Sequence, residues 1–255
     1  MAVILFIDML GARKRWRNGG VAESMPTFYR FKKMVNIAAR QAPAEEVLDG
    51  IIETDAAMLV CRSTVEAAGI ARRLFLVAFA NRMNSTACRD WYRGCIVPHT
   101  DGEFLRADDA LREPVQEVRA FRYSESALEA VSVEKSGFKG MRLLVKSALI
   151  DANVHAQMKI PFGTHTLIPF RKLNYSHYPA RVAGEYTDFL WMACQSESDW
   201  YDLTLHMTSR LRYAGRDQEE LAQAAATQIV FHECAAIRQS VISRAQRAKE
   251  QNGDA

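Results

Sequence analysis

The chain lacks any CxxC pair, and its five cysteines are an odd number scattered through apolar stretches. A disulfide framework or a thiolate zinc site needs paired or closely spaced cysteines, so Cys61, Cys88, Cys95, Cys194 and Cys234 read as reduced core thiols. The six histidines show no HExxH or other ligand spacing, which leaves no zinc site to assign. Charge of one sign is also missing. A formal charge of +3 with 25% charged residues makes no chain-wide basic field, and this argues against nucleic acid or an anionic membrane as partner. Hydrophobic runs are short: the N-terminal one covers about seven residues before Asp8 with no basic leader, and nothing else approaches the roughly 18 that a spanning helix needs. The expectation is a cytoplasmic protein with no membrane contact. No internal repeat or low-complexity tract is present, and 255 residues at 49% hydrophobic composition supply ample material for a core.

What the chain does have is an ordered alternation of strand and helix signals. Residues 2–8 are β-branched or large apolar and read as a buried strand, followed by the polar segment Gly11 to Arg15. Pro26 near the start of a helix is followed by Phe28, Phe31, Val35 and Ala38 on one face. Residues 50–61 read as two strands around a turn at Thr54 and Asp55. A second helix begins at Ser63, where Ser63 and Glu66 have capping-box spacing, and carries Ala67, Ile70, Leu74 and Val77 on one face. Trp91 to Val97 reads as a strand, His99 to Arg119 as a charged insertion, Ser124 to Lys135 as a helix and Met141 to Val145 as a strand.

The expected fold is therefore α+β: a βαββαβ core with one antiparallel sheet and helices on one face, over roughly residues 1–160. Residues 161–255 are expected to add a loop and a helical extension, Tyr186 to Arg212 and Gln218 to Gln246, with Leu190, Leu203, Leu211, Leu221, Ile229, Ile237 and Val241 as its apolar groups.

Two carboxylates are the candidate chemistry. Asp8 ends the first strand and Asp55 lies in the hairpin of the second and third, so this strand order lets both converge at one edge of the sheet. A buried charge needs a partner, and two Mg²⁺ or Mn²⁺ ions held there suit a triphosphate. Backbone amides of Met9, Leu10, Gly11 and Ala12 offer phosphate contacts, with Arg13, Lys14, Arg15 and Arg17 alongside. The plainer alternative makes Asp8 a helix cap and Asp55 a turn residue.

The pattern resembles the class III nucleotidyl cyclases. One Asp of that family ends the first strand in a Phe-x-Asp-hydrophobic-x-Gly context, here Phe6-Ile7-Asp8-Met9-Leu10-Gly11, and the second occupies the place of Asp55. More narrowly, the strand Arg93 to Val97, the helix Ser126 to Lys135 and Arg142 to Val145 resemble the pyrimidine nucleotide cyclases of bacterial Pycsar antiphage systems. The resemblance covers residues 3 to 146. It implies a ferredoxin-like cyclase core, Asp8, Met9 and Asp55 as metal-binding positions, and phosphate held by Leu10, Gly11, Ala12 and Arg13. It also implies conversion of UTP, or less readily CTP, to a 3′,5′-cyclic nucleotide and pyrophosphate in a homodimer with active sites at the interface.

Purine-specific members carry a Lys four positions before the second Asp, where this chain has Ile51. An apolar Ile51 donates nothing to a purine acceptor, which favours a pyrimidine. The Asn and Arg one helical turn apart on the later helix are missing, so Arg93 and Arg122 become the candidates for stabilising the transition state, and Tyr123 for stacking on the base or packing. Glu129 reads equally as a site residue or a cap, and Glu134 with Lys135 as a solvated face. An adenylate or guanylate cyclase of the same fold, and an inert ferredoxin-like nucleotide-sensing module, stay open as alternatives.

Overall fold

The structure, a computed structural model, describes residues 1–43, 45–80, 90–99, 124–162, 165–173, 184–193, 196–213 and 218–253. Arg122, Tyr123, Cys88, Cys194, nearly all of the charged stretch expected at 99–119 and the side chain of Arg13 lie outside the described residues.

Seven strands form one mixed, mostly antiparallel sheet in the order β2-β3-β1-β4-β5-β9-β8. Its centre is β1 (Val3–Leu10), antiparallel both to β3 (Ala56–Cys61) and to β4 (Trp91–Pro98). β2 (Val47–Ile52) closes the hairpin with β3, and β5 (Leu143–Lys146) runs parallel to β4, the one departure from the antiparallel arrangement expected. A separate two-stranded ribbon pairs β6 (Ile160–Phe162) with β7 (His165–Leu167).

The period of two along β1 sorts its side chains onto the two faces. Val3, Leu5, Ile7 and Met9 enter one apolar cluster, Ile4 and Phe6 the other. The first cluster is covered by α1 (Ala12–Arg40), α2 (Thr64–Ala80), α5 (Glu197–Tyr213) and the first half of α6 (Gln218–Gly253). The second is covered by α3 (Glu125–Glu134) through Ala127, Ala130 and Val133, so the helices occupy both faces rather than the one expected. The short α4 (Ala152–Gln157) is capped by Asp151, whose carboxylate accepts the Val154 amide at 2.8 Å.

The helices keep the predicted pattern in part. Phe28, Phe31, Val35 and Ala38 are buried as expected, but α1 begins well before Pro26, as two helical segments joined at Gly20 (φ 63°, ψ −157°). Ser63 accepts the Glu66 amide at 3.2 Å, while the Glu66 carboxylate turns to Arg73 at 2.6 Å instead of completing the box. Val77 is exposed, because Phe75, Ala78 and Phe79 carry the last turns of α2 into the core. α3 is capped by Ser124, whose hydroxyl accepts the Ala127 amide at 3.1 Å.

The largest difference lies after residue 160. Tyr186–Phe189, expected as the start of a helix, is strand β9, paired with β5 on one side and with β8 (Phe170–Lys172) on the other. All four of its residues are buried, and three are aromatic or β-branched, which suits a strand enclosed by the sheet. Leu190 is buried just beyond it, while Leu211, Leu221 and Ile229 are exposed. α6 instead docks through small and polar groups. Gln223 accepts the Gly140 amide at 2.6 Å and Thr227 accepts the Met141 amide at 2.9 Å. Gly140 makes this approach possible, since its φ of 82° is left-handed and a Cβ there would lie 2.7 Å from the Thr227 nitrogen. Among the described residues no helix is long and apolar enough to cross a membrane.

Candidate functional site

Asp8 lies on the even-numbered face of β1, the side covered by α3, directly opposite Ala56 on one neighbouring strand and Arg93 on the other. Asp55 occupies the turn just before β3, and its carbonyl accepts the Met9 amide at 2.7 Å. That bond pins the hairpin turn to the end of β1. Asp55 Oδ1 accepts a hydrogen bond from the Thr54 hydroxyl at 3.2 Å, and the Asp55 charge is close enough to act on Asp8. The two acids singled out in the sequence therefore share one end of the sheet.

Arg93 is the third member. Its Nε stands 3.4 Å from Asp8 Oδ2, an ion-pair contact without hydrogen-bond geometry. Nη2 pairs with the Glu134 carboxylate, Nη1 donates to the Phe138 carbonyl at 2.7 Å, and the Phe138 ring lies 5.2 Å from the guanidinium carbon. Arg93 thus points into the space between sheet and α3, and Glu134, expected on a solvated face, is its ion-pair partner. Burial pushes the Asp8 carboxyl up to about 7; Arg93 opposes the shift, while the negative charges of Glu134 and Asp55 add to it.

Between β1 and α1 the chain turns through Gly11, whose φ of 77° is left-handed. No side chain caps the helix that follows and its first turn carries no acid, so the first amides of α1 keep their affinity for an anion. Leu10 and Ala12 flank this turn with buried side chains. The Met9 amide, expected to contact phosphate, is instead committed to the Asp55 carbonyl, and the Met9 side chain lies in the helix-covered core.

A cavity of about 370 Å³ opens beside these groups, lined by Ala12, Trp16, Arg17, Phe28, Thr54 and Asp55. Trp16 and Phe28 form a loose stack, with ring centroids 6.2 Å apart and an angle of 24° between planes. Sequence reasoning missed Trp16 as a site residue; the signal was an aromatic five residues past Gly11. Ile51 does not line this cavity. It is half-buried on β2 opposite Met58 and packs against the α3-side cluster.

Further along α3, Glu129 accepts from the Tyr186 hydroxyl at 2.6 Å and pairs with Lys146, which also reaches Glu185 at 2.8 Å. Burial and the bond to Glu129 push the Tyr186 phenol up. These contacts give Glu129 a structural engagement away from Asp8. Burial pushes the Cys61 thiol up to about 12 and raises Cys95 as well, so both are unreactive packing groups. Among the described residues no group of three or more His, Cys, Asp or Glu side chains gathers to hold a metal ion.

No family model and no curated protein matches the chain.

Proposed function

We propose that this protein is a metal-dependent nucleotide cyclase acting on a pyrimidine nucleoside triphosphate, UTP before CTP. The observation that carries the reading is the pairing of Asp8 with the Asp55 turn, held by the Met9 amide on the Asp55 carbonyl at 2.7 Å. The sheet order β2-β3-β1-β4 supports it, being that of a ferredoxin-like βαββαβ core.

The residues fit a hard divalent cation. Asp8 is a largely buried carboxyl that Arg93 neutralises only in part, and Asp55 adds a second oxygen donor nearby. Mg²⁺ and Mn²⁺ commonly take one or two protein carboxylates and complete their shell with water and substrate phosphate. Bound there, two such ions supply Lewis-acid stabilisation of charge at the α-phosphorus and the departing oxygen.

The chain's own groups orient the rest. The uncapped amides after Gly11 bind phosphate oxygens, and Arg17 adds positive charge at the cavity. The ribose 3′-oxygen forms a bond to the α-phosphorus as the bond to the β-phosphate oxygen breaks, pyrophosphate carries away the electron pair, and the 3′-proton passes to solvent. This displacement asks for position and neutralisation more than for a protein nucleophile. Arg93 and Arg122 are the candidate cations for the transition state, and Arg93 stands beside Asp8 while also held by Glu134. Ile51 offers no donor to a purine, which supports the pyrimidine preference.

The antiphage role, a cytoplasmic location and a homodimer with shared active sites belong to this reading through family resemblance. Val21, Met25 and Tyr29, exposed along one side of α1, offer an apolar surface to a second copy. Incubating the purified protein with Mn²⁺ and each of the four nucleoside triphosphates tests the reading. Cyclic UMP or cyclic CMP is expected. Cyclic AMP or cyclic GMP as main product would assign a purine cyclase of the same fold, and no cyclic product would defeat both.

One observation favours a second reading, an inert nucleotide-sensing module: Arg93, held by Glu134, already gives Asp8 a cationic partner. Under that reading Asp55→Ala leaves the biological activity intact. A cyclase loses nearly all turnover on the same change, because the metal clamp loses a carboxylate.

A further inference from the structure

Resting on the cyclase reading, we infer that Glu134 is a positioning residue: it holds the Arg93 guanidinium off Asp8, so that the Asp8 carboxylate stays open to a divalent ion. Arg93 and Asp8 lie directly opposite each other on β4 and β1. Residues so placed stand about 4.5–5.5 Å apart at Cβ, and an arginine there would ordinarily close a two-bond fork on the carboxylate. This one does not. Nη2 is taken by Glu134 and Nη1 by the Phe138 carbonyl at 2.7 Å, which leaves Nε turned towards Asp8, at 3.4 Å and without hydrogen-bond geometry. Both prongs of the fork are spent on the end of α3 and the segment after it.

Anchoring Arg93 above the sheet would need less than this. The Phe138 carbonyl already holds it, and the Phe138 ring lies 5.2 Å from the guanidinium carbon. What the Glu134 carboxylate adds is a rival for the cation. Glu134 and Asp55 both act on Asp8 with like charge, so three carboxylates share one guanidinium and negative charge is left over at Asp8. A fork closed on Asp8 would cancel that charge and occupy the oxygens that a hard cation needs. Without Glu134, the carboxylate that remains in contact with Arg93 is Asp8. All of these groups come from the copy that supplies both metal carboxylates.

The test reads metal binding rather than turnover: Mn²⁺ is titrated into the full chain without nucleotide, and the unbound ion is measured from its paramagnetic resonance signal. Glu134→Ala is expected to weaken Mn²⁺ binding about fivefold or more. Glu134→Asp keeps the charge but is a methylene too short to hold Nη2, so it is expected to weaken binding in the same direction, and it decides alone if Glu134→Ala does not fold. Arg93→Met combined with Glu134→Ala removes the competitor together with its holder and is expected to bind at least as tightly as wild type. Wild-type affinity in Glu134→Asp overturns the inference, because the charge and not the grip on Arg93 would then be the cause of any loss in Glu134→Ala. A double variant that binds more weakly than wild type makes Glu134 a ligand of the metal and overturns it too. Either result leaves the cyclase reading in place. If wild type binds no Mn²⁺, or Asp8→Asn binds it equally well, the metal site of the cyclase reading falls and this inference with it.

Discussion

Arg93 and Asp8 face each other across the β1–β4 ladder, with Nε 3.4 Å from Oδ2, and the same guanidinium is anchored by Glu134 and the Phe138 carbonyl. The arrangement gives a largely buried acid an internal cation. On the cyclase reading it also sets a competition, in which a proton, an arginine and a divalent ion would contend for the same carboxylate. Burial keeps the proton in contention up to about pH 7.

Metal binding should accordingly depend on pH. Below about pH 7 Asp8 is protonated, neutral and a poor ligand; above it the carboxylate is free to bind. Apparent Mn²⁺ affinity should fall about tenfold for each pH unit below 7 and level off above it. Titrations at pH 6, 7 and 8 measure this directly, and a flat profile would remove Asp8 from the metal site.

The same shift has a consequence for stability without metal. A carboxyl whose folded value is raised from 3.8 to about 7 contributes stability that is complete below about pH 4 and lost as pH rises through 7. Asp8→Asn carries no such ionisation. In EDTA its stability relative to wild type should improve from pH 5 to pH 8, by on the order of 1–3 kcal/mol. Denaturant midpoints at the two pH values give the difference, and adding Mg²⁺ should narrow it for wild type alone.

How much of this was visible in the sequence depends on the range of the interaction. Asp8 and Asp55 were legible because a strand's alternation and a turn's position are local properties, and the pairing of hairpin to first strand follows from element order. Glu134 was not legible, since its role depends on α3 lying over β4, a contact hidden from helical periodicity. Trp16 was lost when Gly11 to Arg15 read as a polar loop, although the helix begins at Ala12. Tyr186–Phe189 spans four residues, too short for its strand pattern to stand out, and its partner β5 lies some 40 positions earlier in the chain. α6 docks through Gln223, Ala224 and Thr227, which a search for large apolar stripes passes over.

Arg142 and Asp188 form a buried ion pair between β9 and the segment entering β5. Burial pushes the Asp188 carboxyl up to about 6 against the lowering effect of Arg142, and Arg142 is itself buried. Removing only the cation strands a charge. Arg142→Met should destabilise by about 3–5 kcal/mol at pH 8, and Arg142→Met combined with Asp188→Leu should recover most of that loss, because two apolar groups leave nothing unpaired. Chemical denaturation of the single and double variants gives the coupling. An additive double variant would mean the pair is not the source of the cost.

The tightest seam in the fold lies where α6 meets Gly140. Two amides of this turn are satisfied only from the helix: Gly140 donates to Gln223 at 2.6 Å and Met141 to Thr227 at 2.9 Å. A Cβ at Gly140 would meet the Ala226 carbonyl carbon at 2.8 Å as well as the Thr227 nitrogen, and the left-handed φ adds strain of its own. Gly140→Ala should therefore cost about 2 kcal/mol or more and lift the helix, whereas Thr227→Val, which removes one hydrogen bond without a clash, should cost about 1–2 kcal/mol. Hydrogen exchange separates the two effects. Thr227→Val should speed exchange chiefly at Met141, while Gly140→Ala should speed it at both turn amides and through the first half of α6. Protection unchanged along α6 in Gly140→Ala would mean that the turn yields and the helix stays docked without it.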